Sequence, residues 1–279
     1  RLFNRFWRRV KSHMCLFNPD ACIYKGDIMK LSALCIFLLG FTLCACTAGM
    51  SGKENSKLAD AIKIQGEAFL MQGDYTAALS RLLEARKMHP EDPYLLNSLG
   101  LAYMGKNRDD LAIPVFKQAL VLKPDYTEAL NNLGAACLRQ KKWDLAIPAF
   151  KKVLEDLLYP TPQFPLSNLG WAYLERQNYI QAESWFSQAL DASPGYVNAS
   201  HGLAQAFLET RREDQAIDVL QTSLETNPEA AVLYAGLARA YEAKGRLREA
   251  RQSWQKVLEY ATARSDLKKT ARDRLSALD

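Results

Sequence analysis

Along most of this chain apolar residues recur at i, i+3, i+4 and i+7, the spacing of one face of an α-helix. In Pro93–Tyr126 that stripe falls into two halves. Leu96, Leu99, Gly100 and Tyr103 share a face in the first, and Ala112, Phe116 and Ala119 share one in the second. The polar stretch Gly105–Asp110 lies between them and predicts the turn of an antiparallel helix pair. Pro124 has no N–H and disfavours helix in the residue before it, so the second helix should stop near Leu122. Gly100 and Ala112 are small enough for the two backbones to approach closely.

The unit recurs through the chain. Its small first-helix residue is Gly66, Gly100, Gly134, Gly170, Ala204 and Ala238, at steps of 34, 34, 36, 34 and 34 residues. The second-helix alanines Ala78, Ala112, Ala146, Ala182, Ala216 and Ala250 keep the same steps. A bulky residue follows four places on, as Leu82, Phe116, Phe150, Phe186, Leu220 and Trp254, and Pro90, Pro124, Pro194 and Pro228 close four units. These positions resemble the tetratricopeptide repeat. The resemblance gives six repeats, 59–92, 93–126, 127–162, 163–196, 197–230 and 231–264. In the last two the glycine moves two places back, to Gly202 and Gly236. Residues 265–279 repeat nothing, but Leu267, Ala271, Leu275 and Leu278 share a face opposite Lys268, Lys269, Arg272 and Asp273, as suits a helix capping the stack. Two short helices cannot bury their apolar faces alone, so the units must stack. The expected fold is all-α, a right-handed α-solenoid of six repeats whose first helices line the concave face. Pro114 and Pro148 fall early in second helices, where a slight bend is expected.

The N-terminus reads differently. Met29 is the expected start, and residues 1–28 read as an upstream extension foreign to the fold. Met29-Lys30 is followed by an apolar run, Leu31–Ala45, of signal-peptide length and too short for the roughly 20 residues that span a bilayer. It ends in Leu43-Cys44-Ala45-Cys46, which resembles a bacterial lipobox with Cys46 as the lipidated residue. Cys44 and the single basic residue are departures from that pattern. An uncleaved anchor is the other reading, and it tethers the repeats to a membrane as well. Residues 46–58 read as a flexible tether. Thr47, not Asp, follows the cysteine, which in such lipoproteins implies the outer membrane, facing the periplasm.

Setting that leader aside changes the charge. Residues 1–45 hold seven basic and two acidic residues, the whole net +5 of the chain; from Cys46 onward 29 basic residues face 29 acidic ones. A nucleic-acid surface is unsupported. Cys137 is the one cysteine beyond Cys46 and reads as a buried thiol, with neither disulfide framework nor metal spacing. No phosphate loop and no set of acid, base and nucleophile can be assembled, so neither enzyme nor cofactor is expected. His89 and the pair Glu91-Asp92 read as solvated turn residues.

Function is therefore sought on the concave face. Positions 2, 5, 9 and 12 of the first helices supply Tyr94, Asn97, Leu101 and Met104 in repeat two. Repeat three gives Asn131 and Leu138, with Asn132 and Arg139 beside them, and repeat four gives Phe164 and Trp171. An apolar groove with interspersed amides suits a peptide with aliphatic side chains. For Leu101, Leu138 and Leu208 packing between neighbouring first helices is an equal alternative. Trp171 is the preferred anchor, because large aromatics dominate binding. Lys63 and Arg139 stand apart, so a clamp for a terminal carboxylate is not expected.

Repeat three ends in Leu154-Glu155-Asp156-Leu157-Leu158-Tyr159-Pro160, two residues over the period. With six repeats and a lipobox, the Asp-x-Leu-Tyr-Pro segment resembles the type IV pilus biogenesis/stability lipoproteins, the pilotins of the pilus secretin. That resemblance implies an outer-membrane lipoprotein that helps the secretin reach the membrane and form its ring, with the N-terminal repeats as interaction surface. The alternative is a general periplasmic adaptor for cell-wall enzymes or for a polysaccharide or protein export complex.

Overall fold

A computed structural model describes residues 52–263 and 265–278. The expected extension, the signal peptide and Cys46 lie outside the described residues. The chain divides into two units, Arg1–Asn55 and Ser56–Asp279. The second holds the repeats.

Thirteen helices and no strands occur among the described residues. Six pairs follow one another: α1 (Gly52–Met71) with α2 (Tyr75–Met88), α3 (Pro93–Gly105) with α4 (Asp109–Leu122), and α5 (Thr127–Arg139) with α6 (Trp143–Val153). Next come α7 (Gln163–Glu175) with α8 (Tyr179–Ala192), α9 (Val197–Glu209) with α10 (Glu213–Thr226), and α11 (Ala231–Ala243) with α12 (Leu247–Tyr260); α13 (Asp266–Ala277) ends the chain. The backbones of successive first helices α3, α5, α7, α9 and α11 approach each other closely, whereas second helices reach one another only through long side chains, as Arg86 does to Gln118. The crowded layer is the inner one, so the stack curves with the first helices on its concave side.

The helix ends follow the sequence. Asp74, Asp92, Asn178 and Ser265 cap α2, α3, α8 and α13 by accepting a hydrogen bond from an amide of the first turn. The turns between paired helices place Asn107, Lys141, Gln177 and Arg211 at φ of 56–59°. Pro114 and Pro148 are exposed at the sixth residue of α4 and α6. The carbonyl each leaves without its helical partner therefore lies on the solvated side.

The core is the repeat pattern made solid. All six second-helix alanines and all six bulky partners, Leu82 to Trp254, are fully buried. A Cβ on Gly100 would stand 2.4 Å from the Phe116 ring, which is why that position is small. Gly202 answers a different contact. A Cβ there would stand 2.2 Å from Phe186 of the preceding repeat, so the displaced glycine makes room across the joint between repeats. Gly236 does the same, less tightly, for Leu220. Helix α13 lays Ala271, Leu267 and Leu275 over Trp254, Val257 and Ala238 and closes the stack.

One boundary differs from expectation. Helix α1 begins at Gly52, inside the stretch read as tether. Lys53–Lys57 lacks apolar residues for a core but contains the helix formers Lys53, Glu54 and Lys57 and no proline, and propensity extends the helix outward.

Candidate functional site

The predicted groove residues separate into two sets. Tyr94 and Phe164, at position 2 of α3 and α7, are 47% and 39% exposed. Each ring meets the tyrosine that closes its own repeat edge-on, Tyr94 against Tyr126 at 5.1 Å and Phe164 against Tyr196 at 5.7 Å. Lys123 lies over both rings of the first pair, and its ammonium donates to the Tyr94 hydroxyl at 2.8 Å. Burial pushes the Tyr126 phenol up to about 12. These rings form one rim of the concave face.

Leu101, Met104 and Leu138 belong to the second set. They are half-buried against the core of repeats two and three, so they form the seam between first helices. Period alone could not choose between seam and groove, since both faces share the spacing. The asparagines are also interior. Asn97 is buried and accepts a hydrogen bond from Asn132 at 2.9 Å across the joint between repeats two and three. Asn131 holds a buried side-chain oxygen without a partner among the described residues. In repeats four and five, Asn198 donates to Ser167 at 3.3 Å and accepts from the Trp171 indole at 3.2 Å. The amides thus join neighbouring first helices into a ladder.

Neither isolated cation is isolated. Arg139 stands 3.2 Å from Asp109 and donates to the Met104 carbonyl at 3.1 Å and to Asn107 at 2.7 Å, which clips repeat three to the turn of repeat two. Lys63 bonds Asp92 at 2.7 Å. Asp92 itself is buried, not solvated. Burial acts to raise its carboxyl, but the Lys63 hydrogen bond and the Leu95 and Tyr94 amides outweigh that and hold it below the usual range. His89 also departs from the solvated reading, because its Nδ1 is buried without a partner among the described residues.

Three predicted residues do meet at a cavity. Leu138, Arg139 and Trp171 line about 310 Å³ of open space together with Lys141, Trp143 and Glu175. Two indoles and a leucine give an apolar wall, and Lys141 with Glu175 stands 3.8 Å apart as a weak, exposed ion pair. Trp171 is held from behind, edge-on to Phe186 at 5.4 Å and 5.5 Å from the His201 ring. Burial, with a smaller push from Arg239, lowers His201 to about 4 and keeps it neutral beside the indole. Sequence reasoning missed Trp143, which opens a second helix. The signal was an aromatic residue opening a second helix, a position that Tyr75 and Tyr179 also fill. A larger cavity of about 480 Å³ lies between α11 and α12 with Glu249, Gln252, Lys256 and Glu259 in its walls, away from the rim.

The extra residues after repeat three are ordered by their own contacts. Asp156 accepts from the Leu158 amide and from the Thr127 hydroxyl, both at 3.0 Å. Leu154 packs into the core on either side of the break. Leu157 and Leu158 are 93% and 90% exposed.

Tetratricopeptide-repeat family models match residues 65–127 and 110–157, and a second model with the same description matches 173–232 and 214–271. This chain is a tetratricopeptide-repeat protein. Such repeats are protein-interaction modules. Among solved structures, PilW, described as a widely conserved type IV pilus biogenesis factor, is 22% identical with a TM-score of 0.67, covering 77% of this chain and 98% of that one. Pseudomonas aeruginosa PilF is 18% identical with a TM-score of 0.64, covering 79% and 99%. The Cut9–Hcn1 structure of the anaphase-promoting complex gives 18% and 0.67, but this chain covers 42% of that one. A curated relative, anaphase-promoting complex subunit 3 of Schizosaccharomyces pombe, is 29% identical over 85 residues, 30% of this chain and 13% of that protein. At these identities the structural likeness is one of fold.

Proposed function

We propose that this repeat protein is a lipid-anchored scaffold of the outer membrane that acts in type IV pilus biogenesis, by helping the pilus secretin to localise and multimerise. One observation carries the reading. PilW and PilF are covered by this chain over 98% and 99% of their lengths, so the likeness takes in the whole of each. Two sequence features add to it: the lipobox-like run ending at Cys46, and Asp156, Leu158, Tyr159 and Pro160 in the break after repeat three. The geometry gives that segment a physical role, because Asp156 fixes the turn that presents the two leucines. The partner segment lies across the rim formed by Tyr94 and Phe164 and seats an apolar side chain between Trp143 and Trp171.

The test is the amount of detergent-resistant secretin multimer in cells with the gene, without it, and with Cys46→Ala. The expected result is loss of multimer with monomer retained on deletion, and mislocalised, reduced multimer with Cys46→Ala. Trp171→Ala should lower multimer while the protein stays folded. Unchanged multimer in the deletion overturns the pilus reading.

A further inference from the structure

Two joints between repeats are sealed by an aromatic pair, and the first is built from charged residues instead. Positions 2, 5, 31 and 34 meet where one repeat hands over to the next. In repeat two they are Tyr94, Asn97, Lys123 and Tyr126, and in repeat four Phe164, Ser167, Ser193 and Tyr196, so an aromatic pair seals each joint. In repeat one the same positions are Asp60, Lys63, His89 and Asp92. A ring nitrogen of His89 and a carboxylate oxygen from each aspartate lie within 4.8 Å of one another. These residues come from α1, from the end of α2 and from the cap of α3, 29 and 32 residues apart, so no local spacing reveals them.

We propose that this first joint binds a divalent transition-metal ion of the zinc type through His89, Asp60 and Asp92. A neutral imidazole nitrogen and two carboxylates are a ligand set that zinc accepts, with water completing the shell. His89 Nδ1 is buried and unpartnered, and a buried nitrogen in that condition calls for an ion or a water. Zinc bonds of about 2.1 Å place tetrahedral ligands about 3.4 Å apart, so the donors must draw in by about an ångström. Asp60 is half exposed and can make that movement. The Lys63 ammonium, 2.7 Å from Asp92 and 3.5 Å from Asp60, competes for the same carboxylates and swings out on its flexible stem when the metal enters. A dication then neutralises both aspartates where one ammonium does so partly.

Zinc chloride titrated calorimetrically into the full chain in detergent, in a weakly coordinating buffer, tests this. His13 and the N-terminal cysteines offer other ligands, so the comparison between variants is the readout. His89→Ala should remove one bound ion per chain, and Asp60→Asn should weaken that ion at least tenfold. Lys63→Ala should tighten it severalfold by removing the competitor. Asp92 is left alone because it caps α3. Circular dichroism checks each fold, and should His89→Ala unfold, Asp60→Asn and Lys63→Ala, changing affinity in opposite directions, decide. Equal stoichiometry and affinity in wild type and all variants would overturn the site.

Discussion

Repeats two and three close in different ways. Repeat two ends in Lys123-Pro124-Asp125-Tyr126, whose tyrosine packs on Tyr94 and keeps the period at 34 residues. Repeat three has Glu128 where Tyr94 would stand, and a carboxylate cannot seal an apolar joint. The chain there takes two more residues, brings Tyr159 near Glu128, and turns Leu157 and Leu158 to solvent. In repeats two and four an aromatic pair goes with the 34-residue period, while repeats one and five keep that period with Asp60 and Asp92, and Asn198 and Ala230, in its place. In repeat three, where Glu128 replaces the aromatic residue, two further residues make a new surface. The break does not divide the core, since Leu154, Tyr173 and Trp185 pack against the clusters on both sides.

The largest effect should come from Phe150, fully buried just before the break. Phe150→Ala should cost about 3–5 kcal/mol in urea unfolding. If the break leaves the core continuous, circular dichroism and tryptophan fluorescence will give one coincident transition. Two transitions would mean that the lost aromatic pair uncouples the halves.

Acid should come next. His201, beyond the break, titrates near 4 in the fold and near 6.5 when unfolded. As pH falls through 6.5 the unfolded chain takes up a proton that the folded chain refuses, so stability declines until about pH 4 and then levels. The shift corresponds to about 3 kcal/mol. His201→Gln should flatten this part of the stability–pH curve, measured by urea midpoints between pH 7 and pH 4. A curve unchanged by the substitution would show that His201 is not held neutral behind Trp171.

Much of this was legible in the sequence. The alanines, the bulky partners and the capping helix follow from period and volume alone, because each contact lies within a repeat or one repeat away. The site was less so. Leu101 and Met104 went to the seam, and Leu138 to both the seam and the tryptophan cavity, because the tilt between successive first helices, which spacing does not encode, decides which inward position is covered. Trp143 was hidden by its place at a turn. Asp92 and His89 read as solvated because turn residues usually are; Asp92 is instead covered from α1 of the same repeat, whose Lys63 reaches over the joint, and of His89 only Nδ1 is enclosed.

The smallest effects on stability are the most informative about the break. Asp156→Ala removes two hydrogen bonds of an exposed turn and should cost about 1 kcal/mol. It should also open the linker, seen as faster protease cleavage beside Leu157. Leu157→Ser with Leu158→Ser should change stability by no more than about 0.5 kcal/mol, since neither side chain packs against the fold. The two results together separate a shaped element from a loose loop. A loose loop would be cut equally fast with or without Asp156, and its leucines would be exposed by default. If cleavage depends on Asp156 while the leucines contribute nothing to folding, the turn is built to hold apolar side chains in water, and such side chains stabilise only what docks on them.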